Sequence, residues 1–465
     1  MRQKALVPST IVVLLLISIV PLTVSSSDTV ISNDITWDEN KILSGNITIA
    51  EGASLTILPG VTIDGGDGYK IEVAGSLEAQ GAHFFSGATP QSPSSHGAGL
   101  WQGLVVTATG SVNLEDVIIE NTNAGIRSDG SLIIENLTVA DSYIGIRNAG
   151  VGQINQFSTE AIDNEAVLNS GTITLKRGVI NNSAIGIKST GSAIIEDSTF
   201  SNVGVAVTAT VGDLTANNLT MSVVSVGLAT NSGVGFQASG IQANDISLLA
   251  DLSNADDFNL DDVQADGNQL LKSNSATGAR ISNVNFSGRV DINLPVIEQD
   301  CDGNCSIESI TISDAKYGVL LTGLGNHHVI SSSVYGQQYA LRSSQQGHLT
   351  INNSSFSSQE AGIITRDTNT EIIGNVFSST TSRQSIATDI IGGIHDWENL
   401  TTSKSYDSGD YNSIGCKAWY ATITALNLQA DNFSTGILVQ ESVLSAQHIA
   451  AIGGQSHGVE LVKGD

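Results

Sequence analysis

The stretch 124-AGIRSDGSLIIENLTVADSYIGIRNAG-150 begins with Ala-Gly-Ile-Arg and returns, twenty residues on, to Ile-Gly-Ile-Arg. A chain that repeats a phrase at that interval repeats either a chemical task or a shape. Written in lines of about 20 residues, the surrounding sequence aligns as 111-SVNLEDVIIENTNAGIRSDG-130, 131-SLIIENLTVADSYIGIRNAG-150, 172-TITLKRGVINNSAIGIKSTG-191, 192-SAIIEDSTFSNVGVAVTATVG-212 and 213-DLTANNLTMSVVSVGLATNSG-233. Two columns are apolar throughout: Ile119, Val139, Ile180, Phe200, Met221, and Ile126, Ile146, Ile187, Val207, Leu228. The line at 151–171 fits less well, though Val167 keeps the second column. Self-similarity at a short fixed period marks a stacked solenoid.

Within each line apolar and polar residues alternate over three to five positions, as in Leu114, Val117, Ile119 and Ala124, Ile126. That is strand periodicity, and Asn, Asp, Ser and Gly between the runs supply the turns. No window carries the polar face of an amphipathic helix. Each line therefore reads as a coil of about three short strands, and stacking coil on coil in parallel buries the inward side that one coil leaves bare. The Gly before the second column (Gly125, Gly145, Gly186, Gly227) marks a close approach of backbones, and Asn121, Asp141, Asn181 and Asn202 mark a turn ladder. The phrase returns at 317-YGVLLTG-323, 339-YALRSS-344, 361-AGIITRD-367, 436-GILVQES-442 and 458-GVELVKGD-465. It weakens over 234–300, a stretch that reads either as weakly patterned coils or as a lateral elaboration. Upstream, 46-NITIAEGASLTILPGVTI-63 and 71-IEVAGSLEAQG-81 alternate strongly, while 86-SGATPQSPSSHGAG-99 reads as a side loop. From Asn46 to Asp465 the expectation is roughly 20 coils on the order of 95 Å long.

Composition limits the partners. Asp and Glu number 46 against 19 Lys and Arg, a formal charge of −27, which disfavours nucleic acid and anionic membrane surfaces. The acidity serves solubility in a salty medium or divalent-cation binding. The N-terminus has the parts of a secretory signal over 1–26: Arg2 and Lys4, the apolar core 11-IVVLLLISIV-20, Pro21 and the small residues 24-VSSS-27. That core is too short to span a bilayer, and no second apolar run of spanning length follows, so no transmembrane helix is expected in the mature chain. The expected location is secreted or cell-surface. Candidate glycosylation sequons lie at Asn46, Asn136, Asn181, Asn218, Asn285, Asn304, Asn352, Asn353, Asn399 and Asn432. Cys301 and Cys305 are close enough for a local bridge in an oxidising compartment, leaving Cys416 buried among Trp419 and Tyr420.

The opening region, with 45-GNITIAEGASLTILPGVTI-63, 73-VAGSLEAQGA-82 and 100-LWQGLVV-106, resembles parallel β-helix repeat proteins of the pectin-lyase-like superfamily, of the exported surface-protein type. The resemblance implies an all-β, right-handed parallel β-helix solenoid; the periodicity by itself gives only a parallel one. The domain expectation is a signal peptide at 1–26, an N-terminal cap with the first coils at 27–108, and β-helix repeats at 109–465. The chain stops inside the repeat phrase, so a C-terminal cap is expected to lie beyond Asp465.

Relatives that cut polysaccharides imply particular chemistries. Polygalacturonase-like members use clustered Asp with Gly-His-Gly and Arg-x-Lys; here Asp256, Asp257, Asp261 and Asp262 are paired but lack that setting. They are the catalytic candidates. The pectate-lyase-like Ca²⁺ ligands and Arg base are echoed only superficially by 395-HDWEN-399. In 298-EQDCDGNC-305, Asp300, Asp302 and Asn304 alternate like the first ligands of a calcium loop, with the Gly one position early and the closing Glu missing. They are the metal candidates, for Ca²⁺. The run 251-DLSNADDFNLDDVQAD-266, with six Asp, is a vaguer second one. His327–His328 reads as a solvent-exposed loop pair, and His83, His96, His348, His395, His448 and His457 show no partner pattern. The expected function is a rigid structural, adhesive or glycan-binding platform at the cell surface, engaging polysaccharides, surface glycans or other surface proteins. The alternative is a polysaccharide lyase or glycoside hydrolase working in a lateral groove.

Overall fold

The computed structural model describes residues 27–463, apart from 67, 88–100, 231–234, 254, 256, 383, 406–411 and 454–455. Residues 1–26, read above as a signal peptide, and nearly all of the expected side loop thus lie outside the described residues. Among the described residues every helix or strand assigned is a strand.

One ladder runs the length of the molecule. Thr29 pairs with Ile47, then Ile71, Leu104 and Ile126 in succession, all parallel. It continues through Ile146, Val167, Ile187, Val207 and Leu228, the second apolar column of the sequence. Ala250, Leu271, Ile297, Val319, Leu341 and Ile363 follow, then Thr388, Cys416, Ile437 and Val459. The chain is a parallel β-solenoid of about 18 turns, with coils averaging about 22 residues rather than 20. Coils such as Ile126 to Ile146 keep the 20-residue period, whereas Ile71 to Leu104 and Thr388 to Cys416 are longer. At one strand spacing per turn the solenoid is roughly 90 Å long.

The coil's shape follows from a phase shift in the alternation. In Ser111–Glu120 the inward residues are Val112 and Leu114, then Val117 and Ile119, with Glu115 and Asp116 both exposed between them. Asp116 has φ +54°, and this left-handed residue turns the corner and resets which side faces in. Its counterparts are Asn136, Gln156, Arg177, Asp197 and Asn218. A second left-handed column is Asn121, Asp141, Ala161, Asn182 and Asn202. Asn and Asp dominate both because their side chains tolerate this conformation and bond locally. Here Asn182, not Asn181, is the turn residue; Asn181 is strand, in register with Ser201. The amides stack from coil to coil, Asn136 donating to Asp116 at 2.7 Å and Asn218 to Asp197 at 3.0 Å.

The first apolar column is buried throughout, and Thr159 fills its place in the ill-fitting coil at 151–171. A Cβ on Gly145 would lie 2.3 Å from the Ala166 carbonyl oxygen of the next coil, so from Gly125 to Gly227 that column holds only Gly and Ala, and Leu249, Leu270 and Val296 enter it further on. A second ladder is internal: Ser128, Asn148, Asn169 and Ser189 are in register and buried. The described residues of 234–300 belong to the solenoid, in strands Phe236–Ser253, Asp257–Ser287 and Pro295–Ser313. Its pattern is faint because Ala243, Ala250, Ala265, Gln269 and Gln299 take inward places. At the far end the inward-facing Val459 and Leu461 are 43% and 55% exposed, whereas Ile437 and Val439, one coil earlier, are buried.

Candidate ligand groove

Outward residues of successive strands form rows along the solenoid, and one set of rows builds a groove of about 580 Å³. Glu135, Asn155, Lys176 and Glu196 occupy one row in register, beside Ile133, Gln153 and Thr174 in the next. Arg177 and Asp197, from the left-handed corner column, close one side. Asn155 Nδ2 donates to Glu135 Oε2 at 2.6 Å, and Arg177 donates to Asn155 Oδ1 from Nε at 3.0 Å and Nη2 at 2.7 Å. Arg177 Nη2 also lies 3.6 Å from Glu135, and Lys176 Nζ lies 2.7 Å from Glu196. This lattice of amide, guanidinium and carboxylate groups stands on the outer face of adjacent strands. Lys176–Arg177 is the one adjacent pair of cations in the sequence, which is the signal a scan for catalytic motifs passes over.

The candidates read from sequence are placed differently. Asp256 lies outside the described residues. Asp257 and Asp261 are four residues apart on one strand, roughly 13 Å, too far to flank one glycosidic bond. Asp261 accepts hydrogen bonds from Ser282 Oγ at 2.6 Å and Asn283 Nδ2 at 2.8 Å. The Ser282 bond above all holds its carboxyl below the usual range. Asp262 sits at the corner with φ +52°, lining a shallow depression with Asn218 and Gln264. Of these carboxylates Asp261 is thus committed to bonds with the next coil. Asp300 is half-buried and Asp302 exposed, while Asn304 Oδ1 accepts from Asn326 Nδ2 at 3.0 Å. Among the described residues no three His, Cys, Asp or Glu side chains gather as a metal set. Cys301 and Cys305 are joined as a disulfide with Cα atoms 6.3 Å apart, both buried, bracketing the exposed Asp302 and Asn304.

Two expectations are corrected. His327 is not in an exposed loop: it lies in strand Asn326–Ile330, buried, in register between Cys305 and Leu349. Strand alternation turns it inward, and burial lowers its pKa to about 4. Cys416 is buried, its thiol pushed up to about 12 by burial, but not among Trp419 and Tyr420. Those rings are 37% and 57% exposed and stack on each other outside, at 5.2 Å. The sequon asparagines are exposed or half-buried, and Asn136, Asn218, Asn353 and Asn432 are left-handed turn residues. Turn geometry therefore accounts for Asn at those four positions without glycosylation.

No family model and no curated protein matches the sequence. Among solved structures, the chain is similar to a PL6-family alginate lyase, AlyGC (9% identity, 93% of this chain, 97% of that one, TM-score 0.22). An arginine-to-alanine variant of that lyase aligns alike (9%, 94%, 95%, TM-score 0.23). The catalytic domain of a GH87 α-1,3-glucanase in complex with nigerose also matches (10%, 88%, 64%, TM-score 0.21).

Proposed function

We propose that this chain is an exported, surface-displayed β-solenoid that binds glycans along its outer face and does not turn them over. The observation that carries the reading is the groove at Glu135, Asn155, Lys176 and Arg177, where donors and acceptors repeat at the rung spacing on a rigid sheet. Sugar hydroxyls take both roles, and a pre-formed lattice of amides and charges meets them without an ordering penalty. The signal-like N-terminus and the −27 charge fit an exported protein, and the solenoid's length fits a spacer that presents the groove away from its attachment. Other surface proteins are further partners on this reading.

The test is a panel of neutral and acidic polysaccharides against the full chain, read by calorimetry and by product formation. Binding that falls at least about tenfold in Arg177→Ala, with no new reducing ends or unsaturated uronates, supports the platform. Turnover would overturn it in favour of a polysaccharide lyase or glycoside hydrolase.

A further inference from the structure

Arg127 and Arg147 stand in register on adjacent strands, Ala124–Ser128 and Ile144–Asn148, on the outward side of the buried Ile126 and Ile146. Strand pairing sets their Cα atoms about 4.8 Å apart. Like charges directly opposite one another destabilise a sheet, and in a chain with 46 acidic residues relief is easy to supply. Other cations have it: Lys176 with Glu196, Arg177 with Glu135, Arg280 with Glu308, Arg366 with Asp389. Along the same row Lys188 reaches Glu165 at 3.3 Å. Among the described residues neither Arg127 nor Arg147 has an ion pair or hydrogen bond, and Arg127 Nε is buried with no acceptor. Two arginine side chains thus leave the outward side of adjacent strands in register, one partly buried and one exposed, with no partner among the described residues.

We infer that Arg127 and Arg147 together form a binding site for an oxyanion, the carboxylate or sulfate ester of an acidic glycan. A planar or tetrahedral oxyanion accepts paired N–H donors from a guanidinium, and one bound by both neighbouring arginines cancels their mutual repulsion. The chain's overall charge repels polyanions, so an anionic chain docks only where cations are locally uncompensated. The inference rests on the glycan reading for the source of the anion, and on the arginine pair alone for the oxyanion.

The experiment uses the full chain with Arg127→Gln, Arg147→Gln, the double variant, and Arg342→Gln as a charge control. Arg342 is exposed in the same row between Leu320 and Ile364. Calorimetry with polygalacturonate, dextran sulfate and neutral dextran is paired with melting in sodium sulfate against sodium chloride at equal ionic strength. The expected result is tighter binding of the polyanions than of dextran, weakened at least about tenfold by each single substitution and little by Arg342→Gln. Sulfate should raise the melting temperature more in the wild type than in the double variant, whose rise gives the general salt effect. Sulfate stabilisation in excess of that in the double variant, without polyanion preference, would keep the oxyanion site and assign it to a small free anion. No sulfate effect and no polyanion preference, or equal losses in Arg342→Gln, would overturn the inference. Dextran binding lost in Arg177→Ala but kept in the double variant reports on the groove separately.

Discussion

The internal ladder at Asn169 makes the sharpest test of how the coils hold together. Its Nδ2 donates to Gly171 O at 3.1 Å, Ser189 Oγ at 3.0 Å and Ser192 O at 3.1 Å, and its Oδ1 accepts from Asn148 Nδ2 at 2.8 Å. The side chain is fully buried. Serine occupies the same column at Ser128 and Ser189, where Ser189 Oγ donates to Gly191 O at 2.8 Å. Asn169→Ser should therefore cost only about 1 kcal/mol, one hydrogen bond net. Asn169→Ala loses every bond and leaves carbonyls unpaired, for about 3 kcal/mol. Asn169→Asp is nearly isosteric but sets a carboxylate against the carbonyl oxygens of Gly171 and Ser192; losing both donors and burying a charge costs at least about 5 kcal/mol. Those neighbours and burial raise the folded pKa of the new carboxyl above its unfolded value. The variant is accordingly most stable below the unfolded value and weakens as pH rises towards neutrality. Urea unfolding followed by circular dichroism at pH 4 and pH 7 measures this series. An order other than Ser, Ala, Asp at pH 7, or an Asp variant no better at pH 4, would refute the assignment of the ladder to amide donors.

Three further outcomes are expected. His327, with its pKa lowered from 6.5 to about 4 by burial, is neutral in the fold; its contribution is present above pH 6.5 and lost as pH falls towards 4. It amounts to about 3 kcal/mol, and His327→Leu should flatten that part of a stability–pH curve. His395, also lowered by burial, donates from Nε2 to Gly392 O at 2.8 Å and accepts from Thr370 at Nδ1, so it adds to the same acid limb. Gly145→Val, which forces a Cβ to 2.3 Å from a carbonyl oxygen, should open the adjoining coils to protease, whereas the same change at exposed Gly52, whose Cβ would meet nothing within 4 Å, costs only backbone strain from φ +78°. Replacing Cys301 and Cys305 by alanine should lower stability by about 2 kcal/mol, the loop-closure value for so short a ring, read as a lower urea midpoint.

Much of the solenoid is visible in the sequence because stacking puts like on like: Ile126, Ile146, Val167 and Ile187 are contacts of one another, so the pattern is itself the packing. The internal ladder was legible too, as the Ser128, Asn148, Asn169, Ser189 recurrence, but a search for aliphatic columns overlooks buried amides. The inward turn of His327 was not legible, because a one-residue phase shift at a left-handed corner reverses every side chain that follows it. The groove was hidden for a related reason. Glu135, Asn155, Lys176 and Arg177 are about 20 residues apart or on a corner, share no motif, and look like ordinary solvated polar residues until the register brings them together.

By itself, then, the sequence determined the repeat, the parallel stacking and the apolar interior, since each follows from local alternation and a fixed period. Only the tertiary structure decided the rest: which corner residue resets the phase, that 234–300 continues the stack, and which outward residues become neighbours. Those depend on the length of every intervening coil, and one residue more or less at a turn moves each outward row to new partners. Arg127 and Arg147 are the plainest case: two copies of a repeated phrase in sequence, and two adjacent charges without a counterion among the described residues.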